Sequence, residues 1–390
     1  MSIAVIGAGT MGRGIAQVAA QAGHEVLLYD TRPDAAHQAL AGLRKTLDRL
    51  VEKGRTTAEA ANAVHARIRP ATGPEALAGC GLAIEAIVED LDIKRKLFAG
   101  LEAVLPTDAV LATNTSSLSV TAIAAACARP GRVVGLHFFN PAPLLPLVEV
   151  VPGLATDTGL PAAMHGLMQR WGKAPVICQD TPGFIVNRVA RPFYGEALRL
   201  YEEGIADPAT IDAAMRRSGF RMGPFELMDL IGNDINYTVT RTVWEAFHYD
   251  PRYKPSFTQQ RLVESGRLGR KSGRGHHAYD ADGRPTGSAG SADGAPGEAD
   301  SVIIERILAM LINEAADALF WQVASAADID LAMTKGVNYP KGLLAWADER
   351  GAAFWLDKLQ HLQAEYGEDR YRPSPMLRRA AREGRPLTSY

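Results

Sequence analysis

The chain has 390 residues, 47% of them hydrophobic, and a formal net charge of −2. That size allows two or three domains with substantial cores, and the near balance of charge argues against nucleic acid as the main partner. No basic leader precedes the first strand candidate, and no apolar run approaches the roughly 20 residues of a bilayer span, so neither secretion nor membrane insertion is expected.

Ile3-Ala4-Val5-Ile6 reads as a short apolar strand running into Gly7-Ala8-Gly9-Thr10-Met11-Gly12. The three glycines have the spacing of a dinucleotide loop. Gly7 permits the tight turn, Gly9 lets a pyrophosphate approach the backbone, and Gly12 lets the next helix pack closely, its first N–H groups facing the phosphates. Gly7, Gly9, Thr10, Met11 and Gly12 are therefore the expected pyrophosphate contacts. A helical stretch from Met11 to about Gln21 ends at Gly23, and Glu25 to Tyr29 is a second strand that stops at Asp30. Asp30 is placed to accept the adenine ribose hydroxyls and to repel a 2′-phosphate, which favours NAD over NADP. Arg32, two positions on, reads either as a phosphate acceptor or as a solvated loop charge.

Further strand candidates follow at Leu82–Ile87, Ala109–Ala112, Arg132–Phe139, Leu147–Val151 and Ala174–Cys178, alternating with helical stretches. The pattern is α/β, a Rossmann-like doubly wound domain over residues 1–181. Its Cys80 and Cys127, with Cys178, are odd in number and widely spaced. They fit reduced thiols in a cytoplasmic protein better than a disulfide framework or a metal site.

After Thr181-Pro182-Gly183, apolar residues recur at helical spacing, which predicts an all-helical domain over residues 182–280. Residues 281–300 have the Gly, Ser, Ala, Asp and Pro content of a linker. The segment 301–390 then echoes the helical domain at a constant offset of 118 residues. Glu314-Ala315, Ile329-Asp330 and Ala332-Met333 match Glu196-Ala197, Ile211-Asp212 and Ala214-Met215, so the helical domain reads as two tandem copies. The second copy lacks the glycine loop, and it reads as a packing element that covers a dimer face or a substrate rim.

The run His137-Phe138-Phe139-Asn140-Pro141, with Glu149 twelve residues after the histidine, supplies a base, an orienting carboxylate and a neighbouring amide. An imidazole held by a carboxylate is suited to removing a proton from an alcohol. By itself, a histidine that ends an apolar strand is more often a satisfied structural residue. Likewise Ser116 reads as a helix cap, and Lys94 as the partner of a surface acid.

Taken in order, the glycine loop with Asp30, Asn114-Thr115-Ser116-Ser117, the HFFNP run, Glu149, Thr181 to Arg188, Gly223-Pro224-Phe225-Glu226-Leu227 and Gly269 to Gly273 resemble the L-3-hydroxyacyl-CoA dehydrogenase family. Gly336-Val337-Asn338-Tyr339-Pro340 and the run Tyr366 to Pro373 narrow the likeness to its branch that acts on 3-hydroxyadipyl-CoA in bacterial phenylacetate degradation. The resemblance implies NAD as cofactor and an acyl-CoA as substrate. It gives His137 the role of general base oriented by Glu149, and it puts Ser116 and Asn187 on the substrate. Glu89, Lys94, Asn114, Asn140 and Lys271 fall near the nicotinamide end, and Lys53 at the coenzyme A phosphates. A homodimer is implied as well, unless the duplication has replaced that interface within one chain. Arg191 and Arg221 are candidate cations for an adipyl carboxylate. A short-chain enzyme acting on 3-hydroxybutyryl-CoA, and an idle NAD-binding relative, are the alternatives.

Overall fold

Strand β1 (Ile3–Ile6) leads into helix α1 (Thr10–Gln21), and the chain returns parallel to it as β2 (Val26–Tyr29). Helices α2 (Ala35–Glu52) and α3 (Ala58–Ala66) form a hairpin before β3 (Ile68–Pro70), a three-residue strand with no apolar pattern long enough to announce it. Next come β4 (Leu82–Glu85), α4 (Leu91–Val104), β5 (Val110–Thr113), α5 (Val120–Ala124), β6 (Val133–Phe138), β7 (Leu147–Pro152), α6 (Leu160–Arg170) and β8 (Ala174–Ile177). The eight strands build one sheet in the order β3-β2-β1-β4-β5-β6-β7-β8. Every neighbouring pair is parallel except β6 and β7.

All residues of β1, β4 and β6 are buried. Continuous apolar strands of this kind belong to parallel sheets covered by helices on both faces. Ile15 and Val18 of α1 and Leu43 and Leu47 of α2 close over Val5, Leu28 and Ile84 in the same core. Asp90 starts α4 by accepting the Ile93 N–H at 2.9 Å, and Ser119 starts α5 by accepting that of Ala122 at 3.2 Å. Such caps satisfy N–H groups that the helix leaves open.

The computed structural model describes residues 1–286 and 297–390, which fall into two units, Met1–Phe184 and Ile185–Tyr390. In the second unit α7 (Val186–Val189), α8 (Arg191–Glu202), α9 (Pro208–Arg217), α10 (Pro224–Ile231), α11 (Asn233–Ala246) and α12 (Phe257–Glu264) are followed by α13 (Glu298–Phe320), α14 (Ala326–Gly336), α15 (Leu343–Arg350), α16 (Ala352–Tyr366) and α17 (Pro375–Glu383). The two helical segments expected from the sequence thus share one unit. The stretch expected as a linker is partly structured: Tyr279 bridges Pro285, Asp280 accepts the Asp282 and Arg284 N–H groups, and α13 begins at Glu298. Its residues 287–296 lie outside the described residues.

The duplication is written into the hydrogen bonds. Asp212 on α9 accepts the Phe225 and Glu226 N–H groups at the start of α10, at 2.9 and 3.1 Å. Asp330 on α14 accepts those of Leu344 and Ala345 at the start of α15, both at 2.9 Å. Gly223 and Gly342 make room for these carboxylates, since a Cβ on either would lie 2.2 Å from the aspartate.

The copies also exchange charge across their shared face. Glu314 of the second copy pairs with Arg188 at 2.6 Å and accepts the Tyr253 hydroxyl at 2.5 Å, with Arg252 at 3.6 Å. Glu196 of the first copy pairs with Arg306 at 3.1 Å and Arg370 at 3.3 Å, and accepts the Tyr371 hydroxyl at 3.1 Å. Arg306, Arg370 and Tyr371 stand 118 residues after Arg188, Arg252 and Tyr253. Each copy therefore gives the other the same set of groups, as the two subunits of a twofold dimer do.

Candidate active site

His137 and Glu149 face each other across the antiparallel β6–β7 pair. Directly opposed side chains on one face of such a pair are close neighbours, and here the His137 Nδ1 and Glu149 Oε2 are 2.6 Å apart. Glu149 is fully buried and His137 is 6% exposed. The contact commits Nδ1 to the carboxylate and leaves Nε2 as the other nitrogen available to exchange a proton. The Phe139 ring lies 4.4 Å and the Phe184 ring 5.8 Å from the imidazole, centroid to centroid. Phe184 has φ 50°, a left-handed backbone that a bulky residue adopts only where its surroundings enforce it. The Gly183 turn at φ 73° precedes it. The sequence presented both phenylalanines inside motifs but held no sign that they flank the imidazole.

The loop after β5 is tied down from both sides. Asn114 Oδ1 accepts the Phe138 N–H at 2.8 Å, which joins the end of β5 to the end of β6 beside His137. Glu89 accepts the Thr115 hydroxyl at 2.5 Å, the Ser116 and Ser117 N–H groups at 3.0 and 3.1 Å, and the Ser117 hydroxyl at 2.9 Å. Burial pushes the Glu89 carboxyl up, but the Lys94 charge and the Thr115 and Ser117 hydroxyls outweigh it and hold the group below the usual carboxylate range. Lys94 is buried, 2.5 Å from Glu85 and 3.2 Å from Glu89, so its ammonium belongs to an internal network and not to a surface acid. Glu85 also accepts the Thr113 hydroxyl at 2.7 Å. Glu85 and Thr113, and the contacts of Thr115 and Ser117, escaped the sequence reading because the partners lie 9 to 28 residues away in the chain, with no periodicity to mark them.

At the carboxyl end of β1, the glycine loop has the shape a dinucleotide requires. Gly7 adopts φ 103°, and a Cβ there would lie 2.4 Å from the Ala86 carbonyl oxygen; one on Gly12 would lie 1.7 Å from that of Gly7. A Cβ on Gly9 would meet no atom within 4 Å, so the loop backbone is open there on the side a phosphate would take. Thr10 and Met11 open α1, whose first turn carries no acid to oppose an anion. The residues present fit a pyrophosphate at a helix N-terminus.

Asp30 ends β2 with Oδ2 accepting the Ala8 N–H at 2.8 Å and Oδ1 accepting the Arg32 N–H at 2.9 Å. The Arg32 guanidinium closes on the same carboxylate at 3.1 Å. Burial raises the Asp30 carboxyl, but these hydrogen bonds and the Arg32 charge bring it down to about 2. The Arg32 side chain is 70% exposed, and ion pairs of that kind contribute about 1 kcal/mol or less, so ribose hydroxyls can displace it. Asn140 is exposed at the end of the HFFNP turn, and Lys53 is exposed at the carboxyl end of α2.

The second unit holds the remaining expected residues. Asn187 lies on α7, and its carbonyl accepts the Arg191 Nε–H at 3.0 Å. Lys271 pairs with Asp234 at 2.6 Å and is half-exposed. Arg221 sits at the surface in the turn before α10. Among the described residues, no helix is long and apolar enough to cross a membrane.

Comparison with known proteins gives the family. The family model for the 3-hydroxyacyl-CoA dehydrogenase NAD-binding domain matches residues 2–181, and that for the family's C-terminal domain matches twice, at 183–279 and 302–388. The chain is 42% identical to the 3-hydroxyadipyl-CoA dehydrogenase of Escherichia coli K12, over 97% of each chain. It is also 42% identical to the 3-hydroxybutyryl-CoA dehydrogenase of Bradyrhizobium diazoefficiens, over 71% of this chain and 94% of the relative. A crystal structure of 3-hydroxybutyryl-CoA dehydrogenase from E. coli K12 superposes with a TM-score of 0.91 at 42% identity, covering 98% of each chain. The chain belongs to the 3-hydroxyacyl-CoA dehydrogenase family, NAD-dependent oxidoreductases whose NAD-binding and C-terminal domain models it matches along nearly its whole length.

Proposed function

We propose that this protein oxidises a (3S)-3-hydroxyacyl-CoA to the 3-oxoacyl-CoA, with NAD as cofactor and 3-hydroxyadipyl-CoA as its preferred substrate. The observation that carries the reading is the 2.6 Å contact between His137 Nδ1 and the buried Glu149 carboxylate. Glu149 fixes the ring with its proton on Nδ1, so that Nε2 takes the proton of the substrate 3-hydroxyl; the imidazolium that forms is stabilised by the same carboxylate. NAD, when bound, would supply the acceptor for the hydride that leaves C3. Ser116 is assigned to the substrate oxygen, and the Glu89 network fixes the loop that carries it; Asn187 is assigned to the substrate as the family resemblance implies.

Gly7, Gly9, Thr10, Met11 and Gly12 receive the pyrophosphate, and Asp30 receives the adenine ribose. Asn114, Asn140 and Lys271 serve the nicotinamide half, with Glu89 and Lys94 acting there through the loop they hold. Lys53 is assigned to the coenzyme A phosphates, since it is exposed and no partner engages it among the described residues. The adipyl preference rests on the name and 97% mutual coverage of the E. coli K12 relative. The names of other relatives support 3-hydroxybutyryl-CoA as the second reading.

We place the protein in the cytoplasm, in keeping with three buried cysteines that form no disulfide among the described residues. The crossed Glu196 and Glu314 clusters favour a chain that carries its own twofold helical interface over the homodimer implied by family resemblance. Light scattering at micromolar concentration tests this, and a dimer would overturn it.

The functional test is kcat/KM with NAD for 3-hydroxyadipyl-CoA beside 3-hydroxybutyryl-CoA, followed by NADH absorbance. A clear preference for the dicarboxylyl thioester supports the reading. Equal or reversed values would make this a short-chain dehydrogenase, and no turnover of either would point to an idle relative.

A further inference from the structure

Lys173 stands between α6 and β8, but its side chain reaches out of both. Its Nζ donates to the Leu145 carbonyl at 3.0 Å and to the Ala142 carbonyl. Both carbonyls belong to the segment 139–146, which joins the strand of His137 to the strand of Glu149. Within it, Pro141 to Leu145 form a single turn, whose Pro141 carbonyl accepts the Leu144 and Leu145 N–H groups at 2.9 and 3.0 Å. A turn that does not continue leaves its later carbonyls open, and a cation is well suited to close them.

The same turn is seated on α1. A Cβ on Gly14 would lie 3.2 Å from the Pro143 Cδ and 3.3 Å from the Ala142 Cβ, so the helix that the glycine loop opens meets the turn through a glycine. Two groups of the candidate site lie just before this turn: Phe139, whose ring is 4.4 Å from the imidazole, and Asn140. Lys173 has only carbonyl partners among the described residues, and burial pulls its ammonium down to about 8. A lysine held below its unfolded value binds its proton less readily when folded, so below pH 8 the buried charge costs stability. Stability of the fold does not account for the charge, and a role in the site does.

We propose that Lys173 is a positioning residue of the dehydrogenase, whose hydrogen bonds to Ala142 and Leu145 fix the turn 141–145 and thereby hold Phe139 and Asn140 in place beside His137. This rests on the dehydrogenase reading above. The base and its carboxylate keep their own 2.6 Å contact, so Lys173 acts on the surroundings of the imidazole and leaves its basicity alone. The glycine loop and Asp30, which are assigned to the dinucleotide, make no contact with Lys173. The effect therefore falls on the alignment of bound reactants, where a displacement of about 1 Å can cost roughly 10²-fold, and not on their affinity.

The test uses the better of 3-hydroxyadipyl-CoA and 3-hydroxybutyryl-CoA, followed by NADH absorbance. Lys173→Met keeps the apolar stem and removes every donor. Its kcat should fall by roughly 10- to 100-fold, while KM for the acyl-CoA and the NAD affinity of the free enzyme stay within about twofold and the thermal midpoint does not drop. Lys173→Arg, which returns a cation with N–H donors, should recover most of kcat. Gly14→Ala presses a Cβ against the same turn and should show the same split between kcat and KM, which keeps the test decisive if Lys173→Met does not fold. An unchanged kcat in Lys173→Met, or a joint fall of kcat, substrate affinity and thermal midpoint that Lys173→Arg does not restore, would overturn the positioning role alone. A wild type that turns over neither thioester would overturn the dehydrogenase reading and this role with it.

Discussion

Replacing Glu149 by Gln isolates the charge that the site places behind the base. Gln has nearly the same shape, and its amide oxygen can still accept the Nδ1–H, so the imidazole keeps its orientation and loses only its counter-charge. Glu149 is fully buried and its oxygen lies 2.6 Å from Nδ1, which puts the two charge centres about 4 Å apart. At an effective dielectric constant of about 20, that separation corresponds to about 4 kcal/mol of attraction once the imidazole is protonated. The attraction develops as the proton moves, so most of it acts in the transition state. The amide returns part of it as a neutral hydrogen bond, and kcat should fall by roughly 10²- to 10³-fold. NADH absorbance gives kcat, and titration of the free enzyme should give an unchanged NAD affinity. His137→Ala should cost roughly 10²- to 10⁴-fold, and the double variant should be no slower than His137→Ala, since the carboxylate acts only through the ring. A Glu149→Gln enzyme with near-normal kcat, or a double variant whose losses multiply, would refute the reasoning.

Other outcomes follow from the same coordinates. Gly9→Ala should leave the thermal midpoint unchanged and weaken NAD binding by tenfold or more, on the order of one lost charged hydrogen bond, whereas Gly12→Ala, with its Cβ 1.7 Å from a carbonyl oxygen, should fail to fold stably; equal effects would show that the loop is not a phosphate cradle. Asp30→Ala releases Arg32 from its carboxylate and should relax NAD over NADP preference, read as the ratio of kcat/KM values, and an unchanged ratio would remove Asp30 from the ribose. Glu314→Gln leaves two buried arginines, Arg188 and Arg252, to share Asp317 and should destabilise the helical unit by about 3 kcal/mol, measured by urea unfolding; Glu196→Gln, which leaves Arg370 without a carboxylate and Arg306 with Glu203, should cost a similar amount, and a negligible loss in either would contradict the crossed-cluster account.

The sequence by itself determined the elements whose signals are local. The glycine loop and Asp30 lie within 24 residues of each other on one βαβ unit, so spacing was enough to name their partner. His137 and Glu149 were legible as a base and a nearby acid twelve residues apart, but their contact depends on the β6–β7 register, which sets them opposite each other across the segment 139–146. The 118-residue echo announced the duplication. Tertiary structure alone decided what the duplication does, because Glu314 meets Arg188 across 126 residues and Arg306 meets Glu196 across 110, and no local pattern encodes a partner at such range. It likewise turned Lys94 from a candidate surface charge into the buried centre of a network, since burial depends on what packs above a helix and not on the helix's own periodicity. Arg191 is the clearest instance. In sequence it was one of two arginines near a motif, and only the packed structure distinguishes it, as the one buried arginine of its unit with no acid beside it among the described residues.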